Sequence, residues 1–75
     1  MLMSPIKIDP EIMHGTPCFK GTRVPVGHLF DILEHGGTVG EFLEGFPSVS
    51  REMTLAVLEQ AKTQLFAHLV QMDAA

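Results

Sequence analysis

At Phe19-Lys20-Gly21-Thr22-Arg23-Val24-Pro25 the residue pattern of this 75-residue chain changes. Proline and glycine interrupt short apolar runs before this stretch, whereas apolar residues recur at helical spacing after it. Within the stretch, glycine can adopt a positive φ, threonine can hydrogen-bond the backbone, and arginine offers a rigid fork for a carboxylate or phosphate. We therefore expect a turn between an extended or β-stranded head, residues 1–25, and a helical body, residues 26–72.

The head contains two segments with the character of short strands. Ile6-Lys7-Ile8 alternates apolar and charged side chains. It stops at Asp9-Pro10, which is a turn signal because aspartate bonds the backbone ahead and proline fixes φ. Cys18-Phe19-Lys20 is the second segment, and it stops at Gly21. The head is therefore predicted to be a short N-terminal β-hairpin or an extended arm.

The body has the periodicity of helices. The first helix lies between Pro25 and Gly36-Gly37, in agreement with the preference for proline at a helix entry and glycine just past its exit. Its apolar face consists of Val26, Leu29, Phe30, Ile32 and Leu33. The second helix starts at Thr38, with Glu41 at the capping-box spacing, and ends at Phe46-Pro47.

The third helix is the longest, from roughly residue 51 to residue 72, and either Ser48 or Ser50 can cap it. Its apolar face is drawn from Met53, Val57, Ala61, Leu65, Leu69 and Met72. The face is widened, beyond what two short helices can cover, by Leu55, Leu58, Phe66 and Val70. We therefore predict a mainly α fold with a three-helix body, and a homodimer in which the excess apolar surface meets a second copy.

Length and composition indicate a single domain over residues 1–75. A chain this short holds one core and usually needs a disulfide, a structural metal or a partner chain for stability. The single cysteine excludes an internal disulfide, and a hydrophobic fraction of 45% is high for so small an interior. The lone cysteine, the absence of a signal-like start and the absence of an apolar run of ~20 residues favour a cytoplasmic protein with no membrane partner.

The formal charge of −4 is divided unevenly along the chain. Residues 1–25 hold three basic and two acidic side chains, a net charge of +1, whereas residues 26–75 hold two basic and seven acidic side chains, a net charge of −5. Strong nonspecific DNA binding draws on a dense basic patch, which this chain lacks. The acidic body suits a basic protein partner, and any contact with nucleic acid is expected in the head.

A group of residues between about Ile6 and Gln64 forms a recognisable pattern. It comprises Asp9-Pro10, Gly15, Pro17, Lys20-Gly21-Thr22-Arg23, Pro25-Val26, Gly36, Glu41-Phe42-Leu43, Phe46-Pro47 and the helix after Ser50. In these residues the chain resembles the domain-of-unknown-function family 433, although His14 stands where that family commonly has glycine and Thr16 where it has lysine. The resemblance implies a homeodomain-like three-helix body with an added N-terminal extended element. It also implies the role assigned to many members, a VapB-like antitoxin partner of a PIN-type ribonuclease toxin.

The sequence is compatible with two alternative functions. The first is an antitoxin-like component of a type II toxin–antitoxin pair, which binds a PIN-like toxin protein and, as an open addition, double-stranded operator DNA. The alternative is a protein-interaction or dimerisation module without nucleic-acid binding, which the net charge favours when taken alone. We expect no enzyme, because the sequence lacks a paired carboxylate, a triad or a ligand set. No cofactor or metal is expected either, since His14 and Cys18 are only two ligands.

The candidate DNA- or partner-binding residues lie in the head and at the start of the third helix. They are Lys7, Lys20, Thr22, Arg23, Ser50 and Arg51. The last two would belong to a helix-turn-helix over residues 38–62, which would also present Ser48 and Thr54 to the major groove. A three-helix fold without DNA contact through this helix is an equally acceptable interpretation.

Arg23 also has a purely structural interpretation. Its guanidinium could pair with an acidic residue of the first helix, Asp31 or Glu34, and so fix the head to the body. In that case it would not be available to a ligand or partner.

Overall fold

The structure, a computed structural model, describes residues 4–73. It has two short strands, β1 (Ile6–Lys7) and β2 (Cys18–Phe19), with a single 3-10 turn at Met13–Gly15 between them. Three helices follow, α1 (Gly27–Glu34), α2 (Val39–Gly45) and α3 (Arg51–Asp73). The predicted mainly α fold, with a β-stranded head and a three-helix body, is confirmed.

The head is closed by backbone hydrogen bonds. The strands β1 and β2 are antiparallel, with Ile6 opposite Phe19 and Lys7 opposite Cys18. The amide of Lys20 donates to the carbonyl of Pro5 at 2.8 Å, although Lys20 already belongs to the turn after β2. The second strand is therefore one residue shorter than predicted, because the chain must begin to turn at Lys20 to reach Gly21.

The 3-10 turn has an unusual backbone. Met13 and His14 have φ values of 52° and 56°, in the left-handed region that side chains other than glycine rarely adopt. This conformation gives a physical reason for the glycine that the resemblance leads one to expect at position 14. The departure at His14 leaves the turn in place.

The core joins the head to the body through three phenylalanine rings. Phe19 of β2 and Phe42 of α2 are fully buried, with ring centroids 5.4 Å apart. Phe42 also packs on Phe46, with centroids 5.0 Å apart. Leu29 from α1 and Val57 from α3 belong to the same buried cluster, together with Val26 and Val49. Each helix thus contributes a side chain to the core that contains Phe19.

Helix α1 ends in a Schellman motif. The amide of Gly37 donates to the carbonyl of Ile32 at 2.8 Å, and the amide of Gly36 donates to that of Leu33 at 3.1 Å. Gly36 has a φ of +85°. These bonds satisfy the last carbonyls of α1 and reverse the chain toward α2, as the paired glycines predict.

The other two helices start at the predicted kind of cap. Thr38 Oγ1 accepts a hydrogen bond from the amide of Glu41 at 3.1 Å, and Ser50 Oγ accepts one from the amide of Met53 at 3.0 Å. Ser50, and not Ser48, is therefore the residue that caps α3. The side chain of Ser50 therefore already has a hydrogen-bond partner within the chain when no ligand or partner is bound.

Helix α3 is covered by the body only in its first half. Thr54 and Val57 are buried, whereas every residue from Lys62 to Gln71 is exposed. The Cα radius of gyration is 13.6 Å and the longest dimension is 42 Å. A compact domain of this length would have a radius of gyration of about 11 Å. The second half of α3 therefore projects from the body. Within residues 4–73, no helix has the combination of length and apolar character needed to cross a membrane.

Candidate partner-binding site

The turn after β2 is held by one threonine side chain. Thr22 Oγ1 donates to the carbonyl of Phe19 at 2.8 Å and accepts from the amide of Val24 at 3.1 Å. The amide of Phe19 donates to the carbonyl of Val24 at 3.0 Å, which closes the turn. Gly21 has a φ of +79°, a value that a glycine adopts without strain. The predicted tasks of Gly21 and Thr22 are both confirmed.

Replacing Thr22 by valine is expected to loosen this turn. The variant leaves the carbonyl of Phe19 and the amide of Val24 without their side-chain partner, so we expect a loss of about 1–2 kcal/mol in the free energy of unfolding. Thr22→Ser keeps the hydroxyl and is the matched control, with a loss of well under half as much. The measurement is urea denaturation followed by circular dichroism. Equal stabilities for the two variants would show that the hydroxyl does not hold the turn.

Arg23 follows directly and is exposed. Among residues 4–73, the side-chain hydrogen bonds join other residues, and none uses the guanidinium of Arg23. The alternative in which Arg23 is bonded to Asp31 or Glu34 is therefore wrong for this structure. Because Thr22 rather than Arg23 holds the turn, the guanidinium remains available to a ligand outside the chain.

A cleft of about 540 Å³ opens beside this turn. Its walls come from the end of β1, the loop after it, β2, the turn, and the connection between α2 and α3. The lining residues are Lys7, Asp9, Ile12, Cys18, Gly21, Thr22, Arg23, Val24 and Ser48. The volume lies in the range typical of small-molecule pockets.

The cleft places two cations, Lys7 and Arg23, on its walls. Its carboxylate, Asp9, accepts a hydrogen bond from the amide of Glu11 at 2.9 Å and so belongs to the turn after β1. A guanidinium binds a carboxylate or phosphate with two parallel hydrogen bonds, and an ammonium group adds a point charge. The cleft is therefore suited to an anionic group of a partner.

The structure brings together only part of the predicted set. Lys7, Thr22 and Arg23 line the cleft, whereas Lys20 is exposed in the same turn but outside the lining. Ser48 joins the cleft from the body, which the sequence did not reveal because its nearest neighbour in the lining, Val24, is 24 positions away along the chain. The position of the head beside the connection from α2 to α3 is a tertiary property without a local signal.

The start of α3 is less suited to DNA than the helix-turn-helix interpretation supposes. Arg51 is exposed there, but Ser50 is engaged as the helix cap. Thr54 is fully buried, and its hydroxyl donates to the carbonyl of Ser50 at 2.9 Å. The expectation that Thr54 would face the major groove is therefore wrong, since the side chain points into the core. Glu52, next to Arg51, adds a negative charge on this turn of the helix.

Cys18 is almost fully buried, and its thiol donates to the carbonyl of Thr16 at 3.3 Å. Across residues 4–73, no three histidine, cysteine, aspartate or glutamate side chains converge as a metal site would require.

Comparison with known proteins places these features in a family. The model of the family described as "Protein of unknown function (DUF433)" matches residues 6–61, which include both strands, the cleft and the buried half of α3. A solved structure of a DUF433 member from Anabaena variabilis is 29% identical to this chain, with a TM-score of 0.66. The alignment covers 93% of this chain and 72% of the other.

A curated relative is the uncharacterized protein y4eO of Sinorhizobium fredii, which is 41% identical over 44 residues. Those residues make up 59% of this chain and 20% of the relative, so the similarity spans about a fifth of that protein's length. The family model, in contrast, extends over most of the present chain, from β1 into α3. On the strength of that match and of the shared fold, the chain belongs to the DUF433 family.

Proposed function

We propose that this chain is the antitoxin-like component of a type II toxin–antitoxin pair and binds a PIN-type nuclease toxin. The observation that carries the proposal is the cleft with two cations, Lys7 and Arg23, on a chain that is otherwise acidic. The guanidinium of Arg23 is exposed and outside the hydrogen bonds of residues 4–73, so it can be given to a partner.

A metal-dependent nuclease offers the matching chemistry. Its active site is a cluster of carboxylates that hold metal ions. A guanidinium fork that enters such a cluster bonds the carboxylates directly and competes with the metal for them. In this proposal Arg23 makes that contact and Lys7 adds a second positive charge beside it.

The acidic body supports the same partner. Residues 26–75 have a net charge of −5. A ribonuclease must attract the phosphate backbone of RNA, so the surface around its active site carries positive charge. Opposite charges on the two proteins speed their encounter and set their orientation. The chain would thus present cations to the active site and anions to its rim.

The direct test is co-expression with the product of the reading frame next to the gene of this chain. We expect the neighbour alone to arrest bacterial growth and degrade RNA, and co-expression to restore growth and yield a purified complex. A neighbour whose toxicity is unchanged by the chain, with no complex on purification, would overturn the proposal.

Within such a complex, removal of the guanidinium should have the largest effect among the head cations. We expect Arg23→Ala to raise the Kd for the toxin at least ~10-fold, because a buried carboxylate loses its partner. Lys20 has the same charge in the same turn but lies outside the cleft, so Lys20→Ala should raise the Kd only ~2- to 3-fold, as a rim charge does. Isothermal titration calorimetry measures both values. Equal losses would mean that overall charge, and not the cleft, binds the toxin.

Operator binding is the second half of the proposal, and the alternative function omits it. The alternative, an interaction module without nucleic-acid contact, is favoured by the burial of Thr54 and the engagement of Ser50 as a cap. A gel-shift on the DNA upstream of the gene, with and without the toxin, separates the two. A shift that weakens steeply with salt and is reduced by both Lys20→Ala and Arg23→Ala supports operator binding. No shift in either state selects the alternative.

A further inference from the structure

The projecting half of α3 has an apolar surface that the body does not cover. Four large side chains on it, Leu65, Phe66, Leu69 and Val70, are exposed to 55, 57, 44 and 67%. Soluble monomers rarely leave such a contiguous apolar patch open to water. The family match ends at residue 61, so this patch lies on a part of the chain beyond the matched domain.

The patch lies on a different side of α3 from the residues that pack on the body. Leu65, Phe66, Leu69 and Val70 are spaced so that they occupy one side of a helix over two turns. At about 100° per residue, the middle of this side is rotated by roughly 120° from the side that Thr54 and Val57 bury. A bend of α3 toward the body would therefore bury the side that holds Thr54 and Val57 and would leave the patch exposed.

The pattern of the patch is symmetric along the helix. Positions 65, 66, 69 and 70 map onto one another when the helix is reversed about the point between Ala67 and His68. A twofold interface requires a surface that complements itself under such a reversal. In an antiparallel pair, Leu65 would lie level with Val70 of the other copy, and Phe66 with Leu69 of the other copy.

Charge also favours a second copy over a different partner. Residues 63–72 contain no aspartate, glutamate, lysine or arginine, whereas residues 26–62 carry a net charge of −4, from six acidic and two basic side chains. Two acidic chains repel each other over most of their bodies, so the electrostatic repulsion between them is smallest when they associate through their neutral segments. A basic partner would instead be drawn to the acidic part of the body.

We propose that the projecting half of α3 forms an antiparallel helix pair with the same segment of a second copy of the chain. This pairing stabilises a stretch of helix that is exposed at every residue from Lys62 to Gln71, and an isolated helix of this length is marginal in water. The pair leaves the cleft of each copy outside the interface, because the cleft is built from the head and from the connection before α3. The inference does not depend on the proposed toxin partner.

Sedimentation equilibrium of the whole chain, between about 1 and 100 micromolar, tests the pairing. We expect the wild type to be a dimer at the upper concentration and Phe66→Glu to be a monomer whose body still unfolds cooperatively in urea. Gln71→Glu introduces the same charge at an exposed position on another side of the helix and should remain a dimer. A monomeric wild type, or a dimeric Phe66→Glu variant, would overturn the proposal; the first result would leave the patch to a different protein.

A charge pair tests the antiparallel orientation. Phe66→Lys and Leu69→Glu should each dissociate the dimer when present alone. The double variant places each lysine level with a glutamate of the other copy and should recover at least part of the dimer. A parallel pair would instead set lysine against lysine, so a double variant that is as monomeric as Phe66→Lys would overturn the antiparallel arrangement.

Discussion

Phe42→Ala is expected to remove a large part of the free energy of unfolding of this chain. Phe42 is fully buried between Phe19 and Phe46, so the variant removes both ring contacts and opens a cavity at the junction of head and body. Truncation of a buried phenylalanine costs about 3–5 kcal/mol. A domain of this length has a total stability of only roughly 4–11 kcal/mol. The loss therefore removes a large part of the stability, and in the lower part of that range it removes all of it.

Urea denaturation monitored by circular dichroism measures this effect. Phe42→Leu is the matched control, because leucine keeps an apolar side chain at the site and should cost roughly 1–2 kcal/mol. If Phe42→Ala costs no more than Phe42→Leu, the three rings do not form the junction that joins the head to the helices.

The second large effect is expected from Gly37→Ala. A Cβ atom at this position would lie 2.5 Å from Cγ2 of Ile32 and 2.9 Å from its carbonyl oxygen. The amide of Gly37 is bonded to that same carbonyl, so the backbone cannot retreat without breaking the end of α1. Overpacking of this kind costs about 1–3 kcal/mol.

Gly45→Ala is the control for this substitution. Nothing lies within 4 Å of a Cβ atom at Gly45, which is the last residue of α2. Alanine there should leave stability unchanged or raise it by up to ~1 kcal/mol, because it restricts the unfolded chain. In thermal unfolding, each kcal/mol corresponds to about 4–8 °C in Tm. The two alanine variants should therefore shift the Tm in opposite directions, or at least differ by several degrees; equal values would refute the close approach of Gly37 to Ile32.

The sequence predicted the elements of the fold because their signals are local. The paired glycines after α1, Thr38 at the start of α2 and the turn at Gly21 each act through bonds to residues a few positions away. The choice between Ser48 and Ser50 as the cap of α3 stayed open, since both precede the helix with a hydroxyl. The backbone path through the connection decides it in favour of Ser50.

The candidate site was predicted only in part, because the cleft is made of distant segments. Arg23 and Lys7 could be named from charge and composition, but their position around one cleft depends on the pairing of β1 with β2. The division of α3 was also missed. Periodicity showed one broad apolar face, and only the packed structure separates the buried residue Val57 from the exposed residues Leu65 and Phe66.

The burial of Cys18 provides a chemical reporter of the head. Its side chain is 2% exposed although it belongs to the wall of the cleft, so a thiol reagent reaches it only when the head opens. Because it is the one cysteine of the sequence, any labelling of the chain by such a reagent reports on this single position. The rate of labelling therefore measures how often β2 separates from its neighbours. A molecule that binds Lys7 and Arg23 would slow the labelling of Cys18. Its binding could therefore be detected without attaching a tag or dye to the protein first.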